Sequence, residues 1–245
     1  MNSIYILWQE HSTRMWYPVA KLTRTDELYR LNYTKGANNA NDFVPFPNMS
    51  DLSKVYESKN LFPFFNNRIL PKSRPEFSKI TNWLNIDKEN FDPLDYLAIT
   101  GGQRKTDNYK ILKLPELIDG KYKFTFLVSG IQYLDDDSKS VINDLSQESE
   151  LFYLYETENI YDPNAIALYE SKSKIFIGYC PRYLVSDFKR LLDLNETGEV
   201  FFKVSKVNLD APASYRLLVT FEARFSPGYQ PLMVDDYLAH TIVHM

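Results

Sequence analysis

Cysteine, glycine and histidine are scarce in this chain of 245 residues, which contains one cysteine, eight glycines and three histidines. The lone cysteine, Cys180, excludes an internal disulfide and is typical of a protein from a reducing compartment. No apolar run approaches the roughly 20 residues that span a bilayer, and the N-terminus lacks the basic and apolar segments of a secretory signal. We therefore expect a cytoplasmic protein without a membrane partner.

The motifs of the common enzyme classes are also missing. The sequence contains no glycine-rich phosphate loop and neither an Asp-Phe-Gly nor a His-Arg-Asp motif. His240 and His244 have a spacing that can bind a metal on a helix, but no acid is positioned beside them and His11 is distant. Cys180 lies in an apolar strand, where a buried structural thiol is expected. The sequence predicts a protein that is not an enzyme, with no catalytic residue, no metal site and no cofactor.

A strong positive charge, the usual electrostatic feature of a DNA-binding protein, is absent too. Residues 1–119 carry 16 basic and 14 acidic side chains, a net +2, and residues 120–245 carry 12 basic and 18 acidic ones, a net −6. What the chain does have is aromatic residues, at 15%, and apolar residues, at 44%. This composition is sufficient for a sizeable core.

The hydrophobic pattern divides the chain into two domains and a tail. Residues 1–115 read as a small α+β domain and residues 120–230 as a β-rich domain with at least one helix. A segment with a proline, a glycine and no periodicity, residues 115–120, separates them. Residues 231–245 form a partly apolar C-terminal tail. The expected fold class is α+β.

The segment 159–184 has a short, ordered pattern. A turn in which Pro163 fixes φ leads into an apolar strand, a polar turn and a return strand follow, and a helix begins near Arg182. The pattern resembles the HIRAN domain, over about residues 120–225. The residues that carry the resemblance are Val128, Gly130, Ile131, Gln132, Tyr133, Tyr161, Asp162, Asn164, Ala165, Ile166, Ile177, Gly178, Tyr179, Pro181 and Arg182. The resemblance implies a β-rich, barrel-like domain with a helix.

In its better-understood eukaryotic members, the HIRAN domain captures the 3′ end of single-stranded DNA. The resemblance therefore implies that Tyr133 and Tyr161 stack on the terminal bases and that Asp162 accepts a hydrogen bond from the free 3′-hydroxyl. It also implies that Arg182, with Lys189 or Arg190, holds phosphates. The candidate nucleic-acid-binding residues are Gln132, Tyr133, Tyr161, Asp162, Asn164, Tyr179 and Arg182.

A purely structural interpretation of the same residues stays open. Tyr133 and Tyr161 fit half-buried aromatics, Asp162 fits a turn residue bonded to the backbone, and Arg182 fits an exposed first-turn charge. Gln132 also stands where DNA-binding relatives have a basic residue. An acidic segment at 135–150 repels phosphate unless it folds away. It also fits a nucleic-acid mimic or a surface for a basic partner.

A second resemblance concerns residues 1–115. These residues resemble the small N-terminal subdomain of HipA-type serine/threonine kinase toxins. The shared motifs are Phe62-x-Phe64-Phe65-x-Asn67-x-x-Leu70-Pro71 and Phe91-Asp92-Pro93-Leu94-x-x-Leu97-x-x-x-Gly101. The kinase portion itself is absent. In some members this subdomain is a separate protein that neutralises the kinase.

The second resemblance implies a role as an antitoxin or a non-catalytic subunit of a toxin–antitoxin or defence system. Its partner would be a separately encoded HipA-type kinase, contacted by Phe64, Phe65 and Asn67. The plainer alternative for this aromatic cluster is a short helix that closes a small core. For the whole chain, the alternative is a protein-docking module that restrains the kinase without binding DNA.

Overall fold

The computed structural model describes residues 2–25, 28–104, 106–194, 199–225, 229 and 235–240. The chain divides into two compact units, each with its own antiparallel sheet. The first unit comprises Met1–Ser78, Ile86–Leu114 and Gln230–Met245, and the second comprises Lys79–Asn85 and Pro115–Tyr229. The fold is therefore mixed, with helices and strands in both units.

The first unit contains a five-stranded sheet in the order β4-β3-β2-β1-β5. Its strands are β1 (Asn2–Gln9), β2 (Trp16–Arg24), β3 (Tyr29–Tyr33), β4 (Tyr56–Ser58) and β5 (Tyr109–Lys113). The helices before β5 are α1 (Gly36–Asn39), α2 (Pro63–Asn66), α3 (Glu76–Trp83) and α4 (Pro93–Thr100). The division between the units falls within α3. Asp92 caps α4 by accepting the Leu94 N–H at 2.8 Å, and Gly101 ends it in the left-handed conformation at φ 68°.

The aromatic cluster of the motif at residues 62–71 lies in the core of the first unit. Phe65 is completely buried, and Phe64 is partly buried with its ring centroid 4.4 Å from that of Phe46. Asn67 is exposed. Phe65 therefore cannot contact a partner directly, which corrects its assignment as a partner-binding residue, because its side chain is needed to fill the core.

The described part of the predicted tail, residues 235–240, belongs to the first unit. Lys35 pairs with Asp235 at 2.8 Å, and Thr34 and Ala239 form a β-bridge. His244, the second histidine of the predicted i, i+4 pair, lies outside the described residues.

The second unit contains a seven-stranded antiparallel sheet in the order β10-β9-β8-β11-β12-β7-β6. The strands are β6 (Glu116–Ile118), β7 (Lys121–Leu127), β8 (Glu150–Tyr155), β9 (Ile166–Glu170), β10 (Phe176–Tyr179), β11 (Val200–Val207) and β12 (Leu217–Arg224). The helices α5 (Asp136–Asp144) and α6 (Val185–Leu194) and a 3-10 turn at Ile131–Tyr133 complete the unit. This is the β-rich region that the sequence predicts.

Aromatic rings form the centre of this unit. Phe188 of α6 is 1% exposed and stacks on Phe221 with ring centroids 4.2 Å apart. Its ring also contacts those of Phe124, Phe126 and Phe202. Alternate residues of β7 are buried, as expected for a strand with one face on the core.

The prediction of a barrel-like domain needs a correction, because the seven-stranded sheet does not close. Ser129, just after β7, and Tyr179, at the end of β10, exchange two backbone hydrogen bonds of 2.9 Å. This pair is an isolated bridge rather than a ladder. The chain turns away immediately afterwards, at Gly130 with φ 87°, into the 3-10 turn. A closed barrel needs continuous pairing between its first and last strands, and one bridge does not supply it.

Candidate nucleic-acid site

Three segments that are far apart in the sequence converge at the end of β10. The bridge between Ser129 and Tyr179 holds the 3-10 turn beside β10. The Arg182 Nε lies 3.3 Å from the Asp162 Oδ2, which joins the start of the next helical segment to the loop after β8. The structure therefore brings most of the candidate residues into one neighbourhood.

The loop after β8 is held by side chains that bond to its own backbone. The Asn159 Oδ1 accepts the N–H groups of Tyr161 at 2.9 Å and Asp162 at 3.1 Å. The Asp162 Oδ1 accepts the Asn164 N–H at 3.0 Å. The structural role considered for Asp162 is thus present, since its carboxylate forms an Asx turn. This turn leaves Tyr161 82% exposed.

Tyr133 is presented by the 3-10 turn in a similar way. Its N–H donates to the Gly130 carbonyl at 2.9 Å, and its side chain is 84% exposed. Neighbouring Gln132 is exposed as well. The interpretation of Tyr133 and Tyr161 as half-buried aromatics is therefore wrong, because both rings are available to solvent or to a ligand.

Tyr179 supports the loop that carries Tyr161 through a hydrogen bond of its hydroxyl group. Its hydroxyl donates to the Glu156 Oε2 at 2.8 Å, and the Asn159 side-chain amide donates to the same oxygen at 3.0 Å. Burial and the hydrogen bond to Glu156 raise the pKa of Tyr179 to about 12. The phenol is therefore protonated at neutral pH, and it ties β10 to the loop that carries Tyr161.

Of the two further basic candidates, only Lys189 contacts the turn. Its Nζ lies 3.4 Å from the Asn164 Oδ1 and 5.6 Å from the ring centroid of Tyr155. The Arg190 guanidinium lies over the ring of Tyr229 instead, 5.6 Å from its centroid. Arg182 and Lys189 therefore both contact the turn that carries Tyr161.

Comparison with protein-family models decides the identity of this region. The model of the HIRAN domain matches residues 121–224. Residues 121–224 are a HIRAN domain. The match does not include residues 1–115, so the HipA-type resemblance of the first unit stays a prediction.

Two solved structures are similar to a part of the chain. A structural-genomics protein from Lactobacillus plantarum is 22% identical, with 42% of this chain and 97% of that chain covered and a TM-score of 0.34. The HIRAN domain of human HLTF is 17% identical, with 43% and 77% covered and a TM-score of 0.29. A search of curated proteins gave no match.

The acidic segment of the HIRAN domain folds largely as a helix. Asp135 is the cap of α5, accepting the Ser138 N–H at 2.8 Å, and this hydrogen bond lowers the pKa of Asp135. Asp136 and Asp137 lie in the first turn, where negative charge is favourable. The acidic residues thus stabilise the start of the helix, and the carboxylates of its first turn are exposed.

Glu156 and Asn159 are parts of the site that sequence reasoning missed. Asn159 organises the turn, and Glu156 links it to β10. An asparagine three residues before Asp162, at the start of a turn, was an available signal, because Asn side chains commonly bond to the backbone of such turns. No comparable local signal identified Glu156, whose partner Tyr179 is distant in the sequence.

The described residues contain no group of three or more His, Cys, Asp or Glu side chains placed to hold a metal ion. None of the helices seen in this part of the chain is long and apolar enough to cross a membrane. Cys180 is free and buried, and burial raises the pKa of its thiol well above the usual value, which fits a structural thiol.

Gly178 fixes the approach of the 3-10 turn to β10. Its φ is 132°, and an added Cβ would lie 2.5 Å from the Val128 Cγ1 and 2.7 Å from the Ser129 carbonyl oxygen. We expect Gly178→Ala to lower the free energy of unfolding by about 1–3 kcal/mol through backbone strain and crowding. Denaturant unfolding, with hydrogen exchange at Ser129 and Tyr179, measures the effect.

Gly120→Ala is the matched control for this prediction. Gly120 also has a positive φ, of 72°, but nothing lies within 4 Å of an added Cβ. The substitution therefore introduces backbone strain without a clash and should destabilise the protein less. Equal losses in the two variants would contradict the close approach at Gly178.

Proposed function

We propose that the HIRAN domain binds the 3′ end of single-stranded DNA and that the chain acts as a binding protein rather than an enzyme. The observation that carries the proposal is the exposure of Tyr161, on the turn whose Asp162 pairs with Arg182, and of Tyr133, on the 3-10 turn that follows the bridge to β10. Every base offers a face for stacking, and single strands are commonly bound by aromatic side chains combined with cations. The family to which residues 121–224 belong supports this interpretation.

Asp162 supplies the group that recognises the end. A carboxylate has about four acceptor positions, and Asp162 uses one oxygen for the Asn164 N–H and the other for Arg182. Capacity therefore remains for a hydrogen bond from a 3′-hydroxyl. Arg182 partly compensates the charge of Asp162, so a 3′-phosphate is repelled less than it would be by an isolated carboxylate.

The test compares short strands that differ only in their 3′ end. A hydrogen bond to a charged acceptor contributes about 1.5–3 kcal/mol, so we expect a preference of roughly tenfold or more for the 3′-hydroxyl over the 3′-phosphate. Fluorescence anisotropy at two salt concentrations measures both affinities. Asp162→Asn should abolish the preference, because the amide oxygen can keep the bond to the Asn164 N–H while the negative charge is lost.

A circular strand of the same sequence is the control for end recognition. It has no 3′ end and should bind weakly. Equal binding of the circle and of both linear strands would contradict the proposal, and Asp162 would then have only its structural role in the turn.

For residues 1–115 we propose docking on a separately encoded HipA-type kinase, which rests on the sequence motifs alone. Of the three residues assigned to partner binding, exposed Asn67 and the accessible part of Phe64 are those that a partner could reach. Copurification with the product of a neighbouring kinase gene tests this proposal. Loss of the complex on Asn67→Ala is the expected result, and failure of the wild-type chain to copurify would contradict it.

A further inference from the structure

Three lysines gather on the outer face of the HIRAN sheet although the domain is acidic as a whole. Lys121 and Lys123 belong to β7, and Lys203 belongs to β11, on the other side of β12. On β7 these lysines alternate with the buried residues, so they lie on the face opposite the core. We call the surface formed by Lys121, Lys123, Lys203 and Phe201 the lysine face.

The ammonium groups of the lysine face surround one carboxylate. The Nζ atoms of Lys123, Lys203 and Lys121 lie 3.2, 3.6 and 3.9 Å from the Glu222 oxygens. Burial alone would raise the pKa of Glu222, but the hydrogen bond from Lys123 and the charges of Lys203 and Lys121 outweigh it and lower the pKa. Glu222 is therefore ionised at neutral pH, and one negative charge faces three positive ones.

Further charges at the margin balance the lysines over the wider surface. Arg224 pairs with Glu199 at the end of β12. In the strand registers, Glu116 lies opposite Lys123 and Glu150 lies opposite Lys203. Counting these residues, four cations face four carboxylates, and the positive excess is confined to the three lysines around Glu222.

An aromatic ring and hydroxyl groups accompany the lysines. The ring centroid of Phe201 lies 5.1 Å from the Lys203 Nζ and 5.6 Å from the Lys121 Nζ. In the register Phe201 lies opposite Glu222, and Thr220 lies between Thr125 and Lys203 in the next row. Cations around an aromatic ring, with hydroxyl donors beside them, are suited to a phosphate backbone and its bases.

We propose that the lysine face binds phosphates of the same DNA strand, several nucleotides from the captured 3′ end. This inference rests on the proposed function. Lys123 lies six residues before Ser129 on one continuous segment, and at about 3.3 Å per residue the lysine face lies roughly 20 Å along β7 from the end-binding turn. The strand would therefore reach it only beyond its terminal nucleotides.

The experiment compares strands of ~4 and ~16 nucleotides, the usual range of such sites, with the same 3′-hydroxyl end. We expect the long strand to bind at least tenfold more tightly, and Lys123→Gln with Lys203→Gln to remove most of this gain while leaving the short strand unaffected. Each lysine that contacts a phosphate contributes about 0.7 to the slope of log K against log salt. The double variant should therefore lower the slope for the long strand by about 1.4.

Lys172→Gln with Lys174→Gln is the matched control. Both lysines are exposed in the turn between β9 and β10 of the same domain, so the net charge changes equally, and the gain with length should persist. If the control removes the gain instead, the strand runs across β8–β10 and the inference is wrong.

Glu222→Gln is a second test, in which the affinity for the long strand should change in the opposite direction. It removes the carboxylate from the lysine face, so the affinity for the long strand should rise while that for the short strand stays constant. Thermal melting verifies that each variant folds. Tight, hydroxyl-dependent binding of the short strand without any gain with length would overturn this inference and leave the proposed function intact, whereas loss of short-strand binding by the wild-type chain would remove both.

Discussion

Replacing both exposed tyrosines, by Tyr133→Ala and Tyr161→Ala, should abolish most of the affinity that we propose for a single-stranded 3′ end. Stacking of one base on an aromatic side chain contributes about 1–3 kcal/mol, so the double variant should lose about 2–6 kcal/mol of binding free energy. Because the side chains are 84% and 82% exposed, their removal leaves no cavity. The free energy of unfolding should therefore remain nearly constant.

Two control variants separate stacking from other effects. Tyr133→Phe with Tyr161→Phe keeps both rings and should retain most of the affinity. Leu209→Ala removes another exposed apolar side chain of the domain, 61% exposed, and should have no effect on binding. Anisotropy with a short 3′-hydroxyl strand measures all variants, and an affinity of the double alanine variant within twofold of wild type would rule out the tyrosines as a stacking platform.

Phe188→Ala should cause the largest loss of stability in the HIRAN domain. The ring of Phe188 joins α6 to the sheet by contacts with Phe124, Phe126, Phe202 and Phe221. Truncation of a buried phenylalanine to alanine typically costs about 3–5 kcal/mol, since burial is lost and a cavity remains. Phe188→Leu keeps much of the volume and should cost considerably less.

Hydrogen exchange monitored by peptide can assign this loss to one unit. Amides of β7 and β12 should exchange faster in Phe188→Ala, while those of β1 and β2 in the first unit should change little. Trp83, whose indole N–H donates to the Asp210 carboxylate at 2.9 Å within the second unit, offers an independent fluorescence signal. Equal acceleration in both units would contradict the assignment of Phe188 to a separate core.

Features that depend on neighbours in the chain were predictable from the sequence. The cap at Asp92, the terminating Gly101 and the turn before Ala165 all follow from local backbone chemistry. The short motifs around Tyr161 and Arg182 led to the HIRAN domain because their spacing reflects the order strand, strand, helix. The plainer interpretation of Phe65, as part of a small core, followed from its aromatic surroundings.

Features that depend on strand pairing were not predictable in the same way. Whether the sheet closes is decided by the few residues after β7, where Gly130 turns the chain away after one bridge. Whether Tyr161 is exposed depends on the bond between Asn159 and the turn, and on the attachment of that turn to β10 through Glu156. The Asn159 bond is local, but the contact of Glu156 with Tyr179 joins residues whose order in the sequence carries no signal of their proximity.

The distribution of charge gives the clearest contrast between what the sequence determines and what the tertiary structure determines. The sequence by itself determined three features: the net negative charge of residues 120–245, the HIRAN-type pattern and the local turn at Asp162. Only the tertiary structure decided that the lysines of β7 and β11 meet around Glu222, because the register of β7, β12 and β11 sets which side chains share a face. A net charge is a sum over the whole segment, whereas the field at a surface depends on distances. An acidic sequence can therefore fold into a domain in which three lysines surround one carboxylate.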